Sequence, residues 1–213
     1  MLVSKNFIRI TVLLLLSGLL AGAQPTTDWI QRWNREEGRE IELKTEDVLF
    51  KASTLEQFNG LQAVGFLQSD GTFPLGRLIW KGTAYSPLRG LGQVLKEQGF
   101  SQLSETDRSE LFLSLLQQSY GLLGTRVYTG ARMHQDLGAR PEPLRSNQGA
   151  DGSHRFQVWF YEFPSTAEEG EWREVLYYVS ADGATIKART LGTYHPQGEN
   201  LRGFPSLSSE SFD

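Results

Sequence analysis

The chain of 213 residues contains no cysteine, only three histidines and only two methionines. Without cysteine there can be no disulfide, no thiolate metal site, no thiol nucleophile and no lipid attached through a thiol near the N-terminus. The common motif routes to chemistry are missing as well. There is no Gly-x-Ser-x-Gly elbow, no Ser-x-x-Lys pair, no His-Glu-x-x-His helix and no P-loop, so the usual hydrolase and nucleotide-binding signatures do not apply. Gly90-Leu91-Gly92 resembles the opening of a dinucleotide loop, but Leu95 stands where the third glycine belongs and the stretch reads as helix. No cofactor is expected from it. The chain also lacks an Asn-x-Ser/Thr acceptor, which together with the absent cysteines favours a bacterial envelope over a eukaryotic extracellular setting.

What is present begins with an address. Lys5 and Arg9 precede an apolar run from Ile10 to Leu20, and the small residues Ala21-Gly22-Ala23 follow. Positive end, short apolar stretch and small residues at the cut describe a secretory signal peptide over residues 1–23. Its apolar part is shorter than the roughly 20 residues a membrane-spanning helix takes. The expectation is export to the periplasm or medium, with no stable membrane anchor after cleavage. The formal charge of the chain is −4, becoming −6 once Lys5 and Arg9 leave. Such a body lacks the field that attracts phosphate backbones, so nucleic acid is not an expected partner.

Punctuation and periodicity organise the rest into a single α+β domain over residues 24–191, with helices packed on a mainly antiparallel sheet, followed by a short disordered tail over 192–213. Asp28 caps a first helix from Trp29, and Arg39 to Leu43 reads as a strand. Thr45 and Thr54 read as caps of a second helical region ending near Phe58. Leu61–Gln68 and Leu75–Gly82 flank an Asp70-Gly71 turn and read as a hairpin. Ser86-Pro87 opens a helix closed by Gly99. The segment after Ser104 carries Leu111, Phe112, Leu115, Leu116, Tyr120 and Leu123 on one stripe, so that helix should lie against a sheet. Residues 137–153 read as a loop or insertion. Strands follow at Arg155–Phe163, Trp172–Ser180 and Thr185–Leu191, the last two joined by Asp182-Gly183. Both hairpins end in Gly-Thr with a tyrosine near a proline, which admits a loose internal duplication of 24–87 in 88–191; two hairpins obeying one turn chemistry give the same echo.

Candidate functional groups are few. Arg126, Arg132, Arg140 and Arg145 form the densest basic stretch, and guanidinium forks grip carboxylate, sulfate or phosphate. His134 with Asp136 could share a proton, and His154 lies within reach in sequence. The aromatic residues Trp159, Tyr161 and Tyr178 fall on strands, where one face could present rings to a ligand; Tyr177 and Tyr178 must point to opposite faces. Arg132, His134, Arg140, Arg145, Trp159, Tyr161 and Tyr178 are therefore the candidate ligand-binding residues. No catalytic or metal-ligating set is assigned. The reading is a non-catalytic envelope protein binding a small ligand or a protein partner through a sheet face. The alternatives are a hydrolase using His134, Asp136 or His154, and a scaffold subunit using the serine-rich tail.

Overall fold

A computed structural model describes residues 29–31, 33–35, 44–69, 71–128, 144–162 and 171–194. The expected signal peptide over 1–23, the expected strand at 39–43, Asp70 and the residues beyond Tyr194 lie outside the described residues. The chain divides into two units, residues 1–48 and 49–213. In the first, residues 29–31 and 33–35 are helical, and Trp29 stacks on Trp33 one turn later with ring centroids 5.4 Å apart. A short 3-10 turn, Thr45–Asp47, follows, the amide of Lys44 just before it donating to the Asp47 carboxylate.

The second unit is α+β with antiparallel pairing. It carries two sheets where one was expected. The first has the order β1 (Val48–Ala52), β2 (Leu61–Phe66), β3 (Leu75–Trp80) and β4 (Thr83–Tyr85). The second runs β5 (Arg126–Val127), β7 (His154–Glu162), β8 (Glu171–Val179) and β9 (Ile186–Tyr194), with β6 (Arg145–Gln148) pairing the other half of β7's edge. The helical region expected between Thr45 and Phe58 is instead two 3-10 turns on either side of β1. Pairing with β2 overrides a local pattern that fits a helix equally well. The loop expected over 137–153 contains β6, whose polar sequence is drawn into a strand by the free edge of β7. Strand β9 runs on to Tyr194, past Gly192 where the tail was placed.

Two helices join the sheets. Helix α1 (Pro87–Glu97) starts with Pro87 in its first turn, where a missing N–H costs nothing, and gives way at Gly99, whose φ of +70° suits a residue without a Cβ. Helix α2 (Glu105–Ser119) is capped by Ser104, whose hydroxyl accepts from the Asp107 amide. Its buried face carries Phe112, Leu115 and Leu116. Phe112 stacks on Phe156 of β7 at 4.5 Å and meets Tyr177 of β8 edge-on at 5.3 Å. Leu61 and Leu78 of the first sheet, Leu91 and Leu95 of α1, and Val158 and Val179 of the second belong to one continuous core.

The glycines that resemble a dinucleotide loop have a packing role. A Cβ at Gly90 would stand 2.7 Å from the Leu78 Cβ on β3, and one at Gly92 would overlap the carbonyl oxygen of Ala184 in the β8–β9 turn. Helix α1 is thus pressed against the first sheet on one side and the end of the second on the other. Its last turn is tied down by Glu97, which accepts from Trp80 Nε1 at 2.9 Å and Lys81 Nζ at 2.7 Å on the first sheet and from Gln93 at 2.6 Å. These donors, Lys81 foremost, hold the Glu97 carboxyl down at about 2.

A bulge in β9 sets the facing of its side chains. Glu174 pairs Gly192 and Val175 pairs Thr190, leaving Leu191 extra. Before the bulge Lys187 and Arg189 face away from the core; after it Gly192 and Tyr194 do.

Two stability predictions follow from these contacts. Gly92→Ala gains about 1 kcal/mol of helix propensity but must displace a backbone carbonyl that cannot swing aside. A net loss of about 1–3 kcal/mol is expected in denaturant unfolding. For Glu97 the folded value lies below the unfolded one, so its contribution is present above pH 4.5 and is lost as pH falls toward 2. Thermal melts should show Glu97→Gln less stable than the parent at pH 7, with the gap closing between pH 4.5 and 2.

Candidate functional site

The second sheet has two unlike faces. The even-numbered residues of β7 and the odd-numbered residues of β8 turn toward the helices, and their neighbours turn outward. Tyr177 and Tyr178 therefore part as expected: Tyr177 packs in the core and Tyr178 lies on the outer face, half-buried. Four of the seven candidate residues, Arg145, Trp159, Tyr161 and Tyr178, meet on this outer face. The other three, Arg132, His134 and Arg140, lie outside the described residues, as does Asp136.

The outer face is divided along its length. At the end nearest the β8–β9 turn, the ladder brings Arg155, Tyr178 and Lys187 side by side, with Asn147 beyond Arg155. The next outward row is Arg145, Gln157, Leu176 and Arg189. Arg145, Arg155, Lys187 and Arg189 are exposed, while Gln157, Leu176 and Tyr178 between them are half-buried. The Arg155 guanidinium sits over the Tyr178 ring, 5.6 Å from its centroid. With strands roughly 4.8 Å apart and alternate residues roughly 7 Å apart, the four cations bound an area roughly 14 Å across. This is a concentrated positive field on a chain whose net charge is −4.

At the other end the same face is aromatic. Trp159 and Trp172 are only 4% exposed, and with Tyr128 they form a small cluster against which Tyr161 and Tyr194 pack. Trp159 lies 5.1 Å from Tyr194 and Trp172 lies 4.9 Å from Tyr161, centroid to centroid. These rings pack on one another across strands, which stabilises the sheet. Between the two ends stands Glu174, which accepts from Gln157 and, at 3.4 Å, from the Tyr194 hydroxyl. Both donors are neutral, so Glu174 keeps its charge between the two ends; at the basic end Asp151, whose carboxyl is held below its usual range first by hydrogen bonds from Ser153, also feels the Arg155 charge.

Arg155, Lys187 and Arg189 were not among the residues singled out from sequence. They are separated by up to 34 positions and alternate with apolar residues, so only the strand register gathers them. The signal that could have found them is that alternation itself: in a strand whose odd positions face out, a basic residue at each outward position makes a basic face.

His154, a candidate acid or base from sequence, is 3% exposed. Its Nε2 lies 3.1 Å from Arg108 Nη1, and its ring meets Phe100 edge-on at 5.3 Å. Arg108 also donates to the carbonyl oxygens of Phe100 and Ser101, both at 2.9 Å. Arg108 has no lone pair, so Nε2 is the acceptor and the ring is neutral with its proton on Nδ1. Burial and then the Arg108 charge push its pKa below the usual histidine range, against a smaller opposing pull from Glu105. His154 thus anchors the start of β7 to α2. Among the described residues no group of three or more His, Asp or Glu side chains is placed to hold a metal, and no helix is long and apolar enough to cross a membrane.

No protein family, no curated protein and no solved structure is similar enough to match the chain.

The neutral His154 gives a direct check. Its NMR titration midpoint should fall below the ordinary histidine value of 6.5, and Arg108→Gln, which removes the facing cation, should move the midpoint upward.

Proposed function

We propose that the chain is an exported, non-catalytic binding protein that docks an acidic protein partner on the outer face of its second sheet. The observation that carries this reading is the set of exposed cations Arg145, Arg155, Lys187 and Arg189, gathered by register around half-buried Leu176 and Tyr178. An amphipathic centre with a charged margin is the anatomy of a protein interface, and tyrosine and arginine are the residues enriched there. A membrane surface or a polyanionic chain would engage the charges alone and make no use of the apolar centre. The patch is small beside the roughly 800 Å² that a standard partner buries, which fits a transient contact whose encounter rate is raised by charge. Export rests on the order of charge, apolar run and small residues before Gln24.

A labelled acidic peptide, glutamates flanking a central pair of leucines, followed by fluorescence anisotropy, tests the assignment, with plain octaglutamate as the charge-only comparison. The parent should bind with an affinity that falls as salt rises. Arg155→Glu with Arg189→Glu should weaken binding at least tenfold, and Tyr178→Ala should weaken it a few-fold. Lys51→Glu, on the edge of the other sheet, should change nothing. Unaltered peptide binding in the double reversal would overturn the site. Binding to anionic vesicles or heparin fragments without binding to the peptide would overturn the partner class.

A further inference from the structure

On the opposite, inward face the second sheet packs against α2. Its long strands have nine residues each, about 30 Å at strand rise, whereas the fifteen residues of α2 span about 22 Å. The helix ends at Ser119, and the chain turns away through Gly121 and Gly124. Beyond that point a cavity of about 290 Å³ lies between the last turn of α2, the start of β3 and the far ends of β7, β8 and β9. It opens to solvent, so a solute can reach it.

The walls combine two kinds of surface. Pro74, Leu75, Phe160 and Val175 are apolar. Tyr120, Tyr177, Thr125 and Thr190 bring hydroxyls, and Glu162 and Arg173 bring one charge of each sign. The two tyrosine hydroxyls are hydrogen-bonded to each other, and burial raises both above the ordinary phenol value, so they stay neutral donors and acceptors. Glu162 accepts from Arg173 Nη2 and, at 3.4 Å, from the Thr125 hydroxyl. Both charged side chains are 34% exposed, so the pair stands at the mouth of the cavity, not sealed within it.

We infer that this cavity is a second binding site, for a small zwitterion of the α-amino-acid type with an aliphatic side chain. A net anion that took Arg173 would leave Glu162 without its cation, and a net cation that took Glu162 would leave Arg173 without its anion. A neutral ligand that parted the two would exchange a charge-assisted bond for weaker ones. A zwitterion replaces the pair bond for bond, its carboxylate on Arg173 and its ammonium on Glu162. The side chain then lies against Leu75, Phe160 and Val175. A cavity of about 290 Å³ has room for a ligand of amino-acid size. The site is separate from the basic outer face, and neither reading depends on the other.

Isothermal calorimetry and thermal shift on the full chain would test it with leucine, N-acetyl-leucine, leucine amide and erythritol. Leucine should bind, and the anion and the cation should each bind at least tenfold more weakly. In Glu162→Gln the order should reverse, N-acetyl-leucine exceeding leucine, because Arg173 keeps its charge. Equal binding of erythritol and leucine would overturn the zwitterion assignment, and so would Glu162→Gln leaving the parent's order intact. Absence of binding by every compound to the parent would overturn the site itself, and that result needs no variant to fold.

Discussion

Helix α1 is held from two sides at once, and the arrangement of the second unit depends on how closely it can approach its neighbours. Leu78 on β3 and the backbone of the β8–β9 turn both occupy space that a methyl group on the helix would need, and Gly90 and Gly92 leave it to them. Glu97 then ties the helix end to Trp80 and Lys81 on the first sheet. With no cysteine in the chain, the two sheets share a core through such packing alone. Two glycines inside a helix cost about 1 kcal/mol each in propensity; close approach offsets this by sealing the core between α1 and both sheets.

Once the second sheet is fixed to α1 at one end and α2 along its middle, its two faces take different work. Facing the helices are Phe156, Val158 and Tyr177, with the polar cavity where α2 stops. Facing outward are a compact group of rings at one end and a basic area at the other. Between these regions stands Glu174, bonded within the sheet by Gln157 and Tyr194.

Much of this sheet could be read in advance. The aromatic run at 156–161, the Asp182-Gly183 turn and the opposite facing of Tyr177 and Tyr178 follow from period two and turn chemistry, and α2 follows from the apolar stripe after Ser104. Other elements could not be read because their structure comes from partners distant in the chain. β1 is a strand through its pairing with β2, and β6 carries Arg145-Ser146-Asn147-Gln148, which has no strand preference of its own. Among the candidate site residues, Arg145 was found as part of a basic stretch, but Arg155, Lys187 and Arg189 required the register. Glu162 and Arg173 read as ordinary strand-end charges until the strands are aligned.

Leu191 has a consequence larger than its size. A strand alternates strictly, so outward parity set at Lys187 and Arg189 would place Thr193 outward and turn Tyr194 toward the core. One surplus residue resets that parity. The same strand then supplies charge to one end of the outer face and a ring to the other, two roles that alternation alone would assign to opposite sides of the molecule.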